Sequence, residues 1–358
     1  MKSFFFGFSL WKNLFIDLKP FFPNEKALFI RTWFGKDVLQ KAFSAGLTAD
    51  DKIYIWGRKS YDSIEKYAYE HSIPLYRVED GFIRSVGLGS DLTQPYSLVV
   101  DSRGIYFDPT QESDLEHLLQ HHQFNIEELE RAAAVRSIIV EKKFSKYNVY
   151  PSIDFQFPSD RLIVLVPGQV NDDASLHYGA PEMDNLTLLK AVRMNRPDAY
   201  IVYKPHPDVL AGNRIGTLSD EDALSYCDRI ITEASIDSVL QHVDEVHTMT
   251  SLVGFEAIMR GIKVVTYGIP FYAGWGLSID QKQCLRRTRM LSMNELVCAV
   301  YLLYPRYIHP LTKRACTVED VLVYLESERL DYERSNRIKI RNWIMRKGQI
   351  IFRRFKGK

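Results

Sequence analysis

Arg161-Leu-Ile-Val-Leu-Val-Pro-Gly-Gln-Val-Asn-Asp-Asp-Ala-Ser175 is the stretch on which the fold turns. Residues 162–166 form a continuous apolar run, the pattern of a strand covered on both faces of a parallel sheet. The residues after it are largely polar and turn-forming, and ligands of open α/β sheets bind at such carboxyl ends. Downstream, 199–203, 245–248 and 263–267 repeat the strand pattern, with helices predicted over 185–195 and 252–260. Upstream, strands are predicted over 27–33, 52–56 and 75–78, with a helix-length segment over 60–71. Residues 96–101 and 104–107 read as a hairpin turned by Ser102-Arg103-Gly104, and Ser113 reads as a helix cap with Asp114 and Glu116 in the first turn. The run from about 141 to 160, rich in Tyr, Ser, Pro and Asn, reads as a linker. Together these signals predict an α/β protein of two Rossmann-like halves facing a central cleft, divided as 1–150 and 151–333, with a separate tail over 334–358.

Length and composition narrow the class. The chain's 358 residues suit about two domains of ~150 residues each. With 46% hydrophobic and 25% charged residues, a disordered or fibrous chain is excluded. A net charge of +1 excludes a nucleic-acid binder driven by bulk charge, yet it conceals an asymmetry. From Arg334 to Lys358 there are ten basic residues and no acidic one, which leaves a net of −9 on the rest. In that tail Ile340, Trp343, Ile344, Ile351 and Phe355 share one helical face, a pattern suited to lying on an anionic membrane surface. Docking of the tail on the acidic body is the alternative. Cys227, Cys284, Cys298 and Cys316 lie far apart and read as reduced thiols of a cytoplasmic protein. No apolar run reaches the ~18–20 residues of a membrane span, and 4–11 is expected to form a docked amphipathic helix.

Four predicted strand ends carry chemistry. In Lys204-Pro-His-Pro-Asp208, Lys204 and His206 stand two apart on an extended chain, face one side, and together can neutralise a phosphate leaving group. Thr250 and Ser251 precede a helix, where a hydroxyl either caps the helix or helps to hold a phosphate. Glu79 and Asp80, before Gly81, form either a turn or a general acid/base facing the cleft. Asp172 and Asp173 lie in the loop beyond the 161–166 strand, where a nucleophile or a substrate-orienting carboxylate would sit.

Other signals are weaker. Asp220-Glu-Asp222 matches the D-x-D pattern of metal-dependent sugar transferases, but Ser219 before it reads as a charged helix start. His117 and His121 have the i,i+4 spacing of a metal pair, yet no third ligand is evident in the sequence, so a solvated helix face is expected. Gly87-Leu-Gly89 lacks the third glycine of a dinucleotide fingerprint, and there is no P-loop. Kinase and dehydrogenase machinery is missing.

In order, Glu79-Asp-Gly-Phe-Ile-Arg-Ser-Val-Gly-Leu-Gly89, Ser97-Leu-Val-Val-Asp101 with Gly104-Ile-Tyr-Phe-Asp108, and Pro167-Gly-Gln-Val-Asn-Asp-Asp-Ala-Ser175 resemble the capsule-polysaccharide β-Kdo glycosyltransferases of the KpsC type. So do Lys204-Pro-His-Pro-Asp208, Thr250-Ser-Leu-Val-Gly-Phe-Glu-Ala257 and Tyr267-Gly-Ile-Pro-Phe-Tyr-Ala-Gly-Trp-Gly276, and the likeness runs from about residue 50 to 320. The acidic-acidic-Gly, His-Pro and Ser/Thr motifs are also similar to those of bacterial sialyltransferases.

The resemblance implies a GT-B-like fold, with 1–150 on the acceptor side and 151–333 binding the CMP-sugar. It implies CMP-Kdo as donor, a retained β-Kdo linkage to a glycan or lipid-linked saccharide acceptor of capsule or surface polysaccharide, and neither metal nor cofactor. The family's full-length enzymes carry two such modules and this chain has room for one, so one kind of linkage is expected. On these terms Asp173 is the nucleophile, with Asp172 the fallback, and Glu79 is the base, with Asp80 the fallback. Lys204, His206 and Ser251 would stabilise the departing phosphate, and Gly168, Gln169 and Thr250 complete the donor-binding set. Glu256 would accept hydrogen bonds from the ribose, and Arg84 either pairs with the Kdo carboxylate or makes a structural ion pair. A protein peripheral at the inner face of the inner membrane is expected. The competing readings are a sialyltransferase-like enzyme using another CMP-sugar and a non-catalytic component of a capsule export assembly.

Overall fold

The computed structural model describes residues 1–8, 17–23, 25–30, 37–85, 94–146, 153–210 and 218–334, with side chains as far as Leu330. In chain order the strands are β1 (Lys2–Phe6), β2 (Lys26–Phe29), β3 (Lys52–Trp56), β4 (Leu75–Asp80), β5 (Ser97–Asp101), β6 (Ile163–Pro167), β7 (Tyr200–Lys204), β8 (Arg229–Ile230), β9 (Glu245–Thr248), β10 (Lys263–Thr266), β11 (Ile279–Asp280), β12 (Pro305–Ile308) and β13 (Ala315–Cys316). They form two sheets. The first has the order β13-β12-β5-β4-β3-β1-β2 and the second β11-β10-β9-β6-β7-β8. β1 to β4 pair in parallel, with β5, β12 and β13 added antiparallel at one side. The pairs of the second sheet are all parallel.

The amino-terminal segment corrects the helix expected over 4–11. Phe4, Phe5 and Phe6 lie on β1, an inner strand between β2 and β3, and each is at most 1% exposed. Successive side chains leave opposite faces of a strand. Phe5 packs with Leu18, Phe21, Tyr54 and Trp56 on one face, while Phe4 and Phe6 pack with Ala42, Ile53 and Ile64 on the other. An inner strand buried on both faces is apolar throughout and so hides its period of two.

A second correction concerns the hairpin expected over 96–107. β5 is a strand, but its neighbours are β4 and β12, and 104–107 is a turn rather than its partner. The Asp101 carboxylate accepts the N–H groups of Arg103, Gly104 and Asp114, which curls the chain at once into the helix Asp114–His121 capped by Ser113. β12 takes the vacated edge. Residues 305–316, grouped with the second half in the sequence reading, therefore hydrogen-bond to the first sheet. The helix Val318–Arg334 follows them there, its Glu319 paired with Arg131 of the helix Ile126–Glu141.

Ser219 caps the helix Asp220–Leu224 by accepting from Asp222 N–H, so the D-x-D signal is a charged helix start. The tail residues from 335 onward, and Gly87 and Gly89, lie outside the described residues.

What positions a site is the way the lobes meet. Arg58, just beyond the carboxyl end of β3, lies over the ring of Tyr178, in the helix that follows β6. Phe82, just beyond β4, packs on Phe271, just beyond β10, with ring centroids 5.0 Å apart. The carboxyl ends of the parallel strands of the two sheets thus face each other over an aromatic floor of Phe82, Tyr106, Phe255, Phe271, Tyr301 and Tyr304.

Candidate active site

β4 ends in Glu79 and Asp80, and as neighbours on a strand their side chains take opposite sides of the sheet. A Cβ at Gly57 would lie 3.1 Å from Glu79 Oε2, and Gly57 has a φ of +57°, so glycine there lets the carboxylate sit over the end of β3. Burial lowers the pKa of Lys59, and the Glu79 charge opposes that shift. Asp80 instead accepts from Arg84 Nε at 2.9 Å. Arg84 is fully buried and also donates to Ser85 Oγ at 3.1 Å. The structural ion pair expected of Arg84 is thus present.

The second-lobe edge begins where Gly168 N–H donates to Lys204 O at 2.8 Å, keeping the ends of β6 and β7 together. Gln169 is buried, and Asn185 fixes its main chain through both N–H and C=O. Its side-chain amide reaches Thr250, with Nε2 donating to Thr250 Oγ1 and Oε1 accepting Thr250 N–H, both at 2.9 Å. Thr250 Oγ1 in turn donates to Ser175 Oγ at 3.2 Å. Asp173 caps the helix Ala174–Gly179, its Oδ1 accepting Ser175 N–H at 2.9 Å. Asp172, on the adjacent turn, is exposed. Asp173 is thus a helix cap and Asp172 an exposed loop carboxylate.

Ser251 caps the helix Leu252–Met259 through Val253 N–H, so the capping role is realised at the mouth of that helix. Lys204 ends β7 and is 7% exposed, and burial pushes its ammonium down to about 8. His206 Nδ1 accepts Asp208 N–H at 3.1 Å, which in the neutral ring leaves the proton on Nε2 as a donor. Glu256 has a different setting. It is buried, accepts Lys146 N–H at 3.2 Å beside the Arg260–Asp237 ion pair, and burial raises it to about 7.

Several members of this edge have a role that their residue type alone does not announce. Ser175 and Asn185 are ordinary residues until the loops are folded together. Tyr272 is fully buried and donates to Ser251 O at 2.6 Å, and Ile269 N–H donates to Gly179 O at 2.9 Å, so the 267–276 loop braces the mouth of the helix Leu252–Met259 and the carboxyl end of the helix Ala174–Gly179. Arg287 holds that loop from behind through the carbonyls of Pro270 and Ala273. Arg58 is fixed by Asp108 at 2.6 Å.

Two Rossmann-like lobes meeting at their strand ends, with the last strands and helix crossing back to the first lobe, define the GT-B class of fold. The chain belongs to the capsule polysaccharide biosynthesis protein family, whose model matches residues 51–307. It is 48% identical over 317 residues to the capsule polysaccharide modification protein LipA of Neisseria meningitidis serogroup A, covering 87% of this chain and 44% of that protein. The chain thus spans less than half the length of that relative. It is 39% identical to the lipopolysaccharide-processing protein LpsZ of Rhizobium meliloti, over 90% of this chain and 74% of that one. Among solved structures it resembles Thermosulfurimonas dismutans KpsC, beta Kdo 2,7 transferase, with a TM-score of 0.74 and 36% identity over 92% of this chain and all of that one. The beta Kdo 2,4 transferase of the same KpsC gives a TM-score of 0.76 at 32% identity, over 90% of this chain and 97% of that one.

Proposed function

We propose that the chain is a β-Kdo glycosyltransferase of capsule or surface polysaccharide, taking Kdo from CMP-Kdo with retention and without a metal. The observation that carries the reading is the bonded frame Asp173–Ser175–Thr250–Gln169, which gathers one carboxylate, a hydroxyl pair at a helix mouth and the buried Lys204 onto a single rim. Full-length likeness to two Kdo transferases supports the sugar.

In the proposed reaction Asp173 attacks the anomeric carbon as the bond to the CMP phosphate breaks, giving a glycosyl ester. Lys204, the Nε2–H of His206 and the helix mouth at Ser251 take up the charge that develops on the phosphate. The acceptor hydroxyl then attacks the same carbon, Glu79 takes its proton, and Asp173 is released as carboxylate. Two inversions give retention. Asp80 is assigned to orienting the edge through Arg84, and the ribose role of Glu256 requires a hydroxyl to meet its buried carboxylate. The acceptor is a glycan or lipid-linked saccharide, and the 334–358 tail places the protein on an anionic membrane surface. Among the described residues no helix is long and apolar enough to cross a membrane.

Release of CMP from CMP-Kdo, compared with CMP-sialic acid, in the presence of a saccharide acceptor tests the reading. Turnover of CMP-Kdo alone is expected. Preference for CMP-sialic acid would move the chain to a sialyltransferase-like enzyme, and turnover of neither would favour a non-catalytic export component.

A further inference from the structure

Away from the donor rim, the structure supplies the ligand that the sequence lacked for His117 and His121. These residues stand one turn apart on the helix Asp114–His121, their ring centroids 4.7 Å apart. Glu112, two residues before the first helical residue, returns to the same face, and one ligand atom from each of the three side chains lies within 4.8 Å of the others. We propose that Glu112, His117 and His121 bind one divalent transition-metal ion of the Zn²⁺ type, with water completing the shell.

Geometry is the first support. His117 Nδ1 and Glu112 Oε1 are 3.3 Å apart. Ligands placed about 2.0–2.1 Å from a tetrahedral Zn²⁺ are themselves separated by roughly 3.3–3.4 Å, so this pair already has the spacing of two corners. His121 is exposed, and its ligand atom lies within 4.8 Å of the other two. The donor set is the second support. Two imidazoles and a carboxylate favour Zn²⁺, Ni²⁺ or Co²⁺ over Mg²⁺ and Ca²⁺, which prefer oxygen throughout. One feature acts against affinity: Arg103 Nη1 lies 3.8 Å from the other carboxylate oxygen, Glu112 Oε2, while its Nε pairs with Asp114. That guanidinium orients the carboxylate and also repels a cation.

The ion would fasten a loop. Residues 102–113 run from the Asp101 turn to the Ser113 cap and carry Asp108, which holds Arg58 against Tyr178 of the opposite lobe. Tying Glu112 to the helix therefore stiffens the segment behind that contact, without entering the donor rim. This inference does not rest on the proposed transferase activity.

Titration of the untagged full chain with ZnCl₂ by calorimetry, paired with thermal unfolding, tests it. One ion per chain and a raised Tm are expected, with Mg²⁺ giving neither. His117→Ala and His121→Ala should each weaken Zn²⁺ binding by at least the ~10–100-fold that even outer-shell changes cost. Arg103→Gln should tighten it, and His122→Ala, whose ring pairs with Glu128 instead, should leave it unchanged. All four positions are partly or fully exposed, so the variants should fold, which circular dichroism checks. Absence of one-to-one binding, or binding that survives the His117→Ala, His121→Ala double change, overturns the proposal.

Discussion

At the second-lobe edge one buried amide, Gln169, ties the 167–175 loop to the 248–251 loop, whereas at the first-lobe edge Glu79 stands by Lys59 and Asp80 is paired with Arg84. The first arrangement is a hydrogen-bonded frame of fixed geometry in which Asp173 supplies the one carboxylate. The second depends on charge, and its Glu79 carboxylate rests on a glycine. A frame of the first kind suits an invariant ligand part such as a nucleotide phosphate, because preorganised donors cost no reorganisation during reaction. A charged edge of the second kind suits proton transfer, where a carboxylate must exchange its partner. The difference is that between holding and reacting.

The sharpest way to break this contrast is at Asp173, which belongs to the frame yet is assigned the chemistry. Asp173→Asn should lower turnover by about 10⁴-fold or more. Asn is as good a helix N-cap as Asp, so Tm should barely move. Near-normal turnover would leave Asp173 as a cap only. Glu79→Gln should cost about 10²–10⁴-fold in turnover, since the amide oxygen can still accept the Asp80 N–H but cannot take a proton. If KM rises while kcat is unchanged, Glu79 binds the acceptor rather than activating it.

Gln169→Leu tests the frame itself. It takes the acceptor from the half-buried Thr250 N–H, at a cost of about 1–3 kcal/mol, and should raise the KM for donor while Asp173 remains in place. Equal stability and KM would show the frame to be dispensable. A smaller effect is expected from pH. Burial disfavours the Lys204 charge and pushes its ammonium down to about 8. Donor affinity should therefore fall as pH rises through about 8, and binding above that pH should take up a proton, seen as a buffer-dependent heat. Stability moves the other way. A lysine whose folded pKa lies below its unfolded value of about 10.4 favours folding more as pH rises between the two. Lys204→Met should abolish both trends. The smallest effect on turnover is expected from deleting residues 334–358, which should release the protein from anionic liposomes and leave reaction with a soluble acceptor largely intact.

The parallel strands and most of the residues on the candidate rim were legible because apolar runs ending in Gly, Pro, Asp and His concentrate both signals in short segments, as at 161–175 and 199–208. β1 was not, because three buried phenylalanines hide a period of two. The 96–107 turn was misread because a single carboxylate, Asp101, curls the chain where a hairpin would continue. β12 and β13 gave no cue to which sheet they join, since edge pairing is decided by the tertiary fold. Within the site, residue types marked the reactive groups but not their supports. Ser175, Asn185, Tyr272 and Arg58 gain meaning only from contacts across 16 or more positions. The same limit hid Glu112, which carries no pattern beside its two histidines.

The central claim is that Asp173 carries the sugar between donor and acceptor, and intact mass spectrometry tests it most directly. Glu79→Gln protein incubated with CMP-Kdo should gain the mass of one Kdo residue, mapping to Asp173, and the double variant with Asp173→Asn should gain nothing. An adduct that persists after Asp173→Asn, or one that maps to another residue, would contradict it.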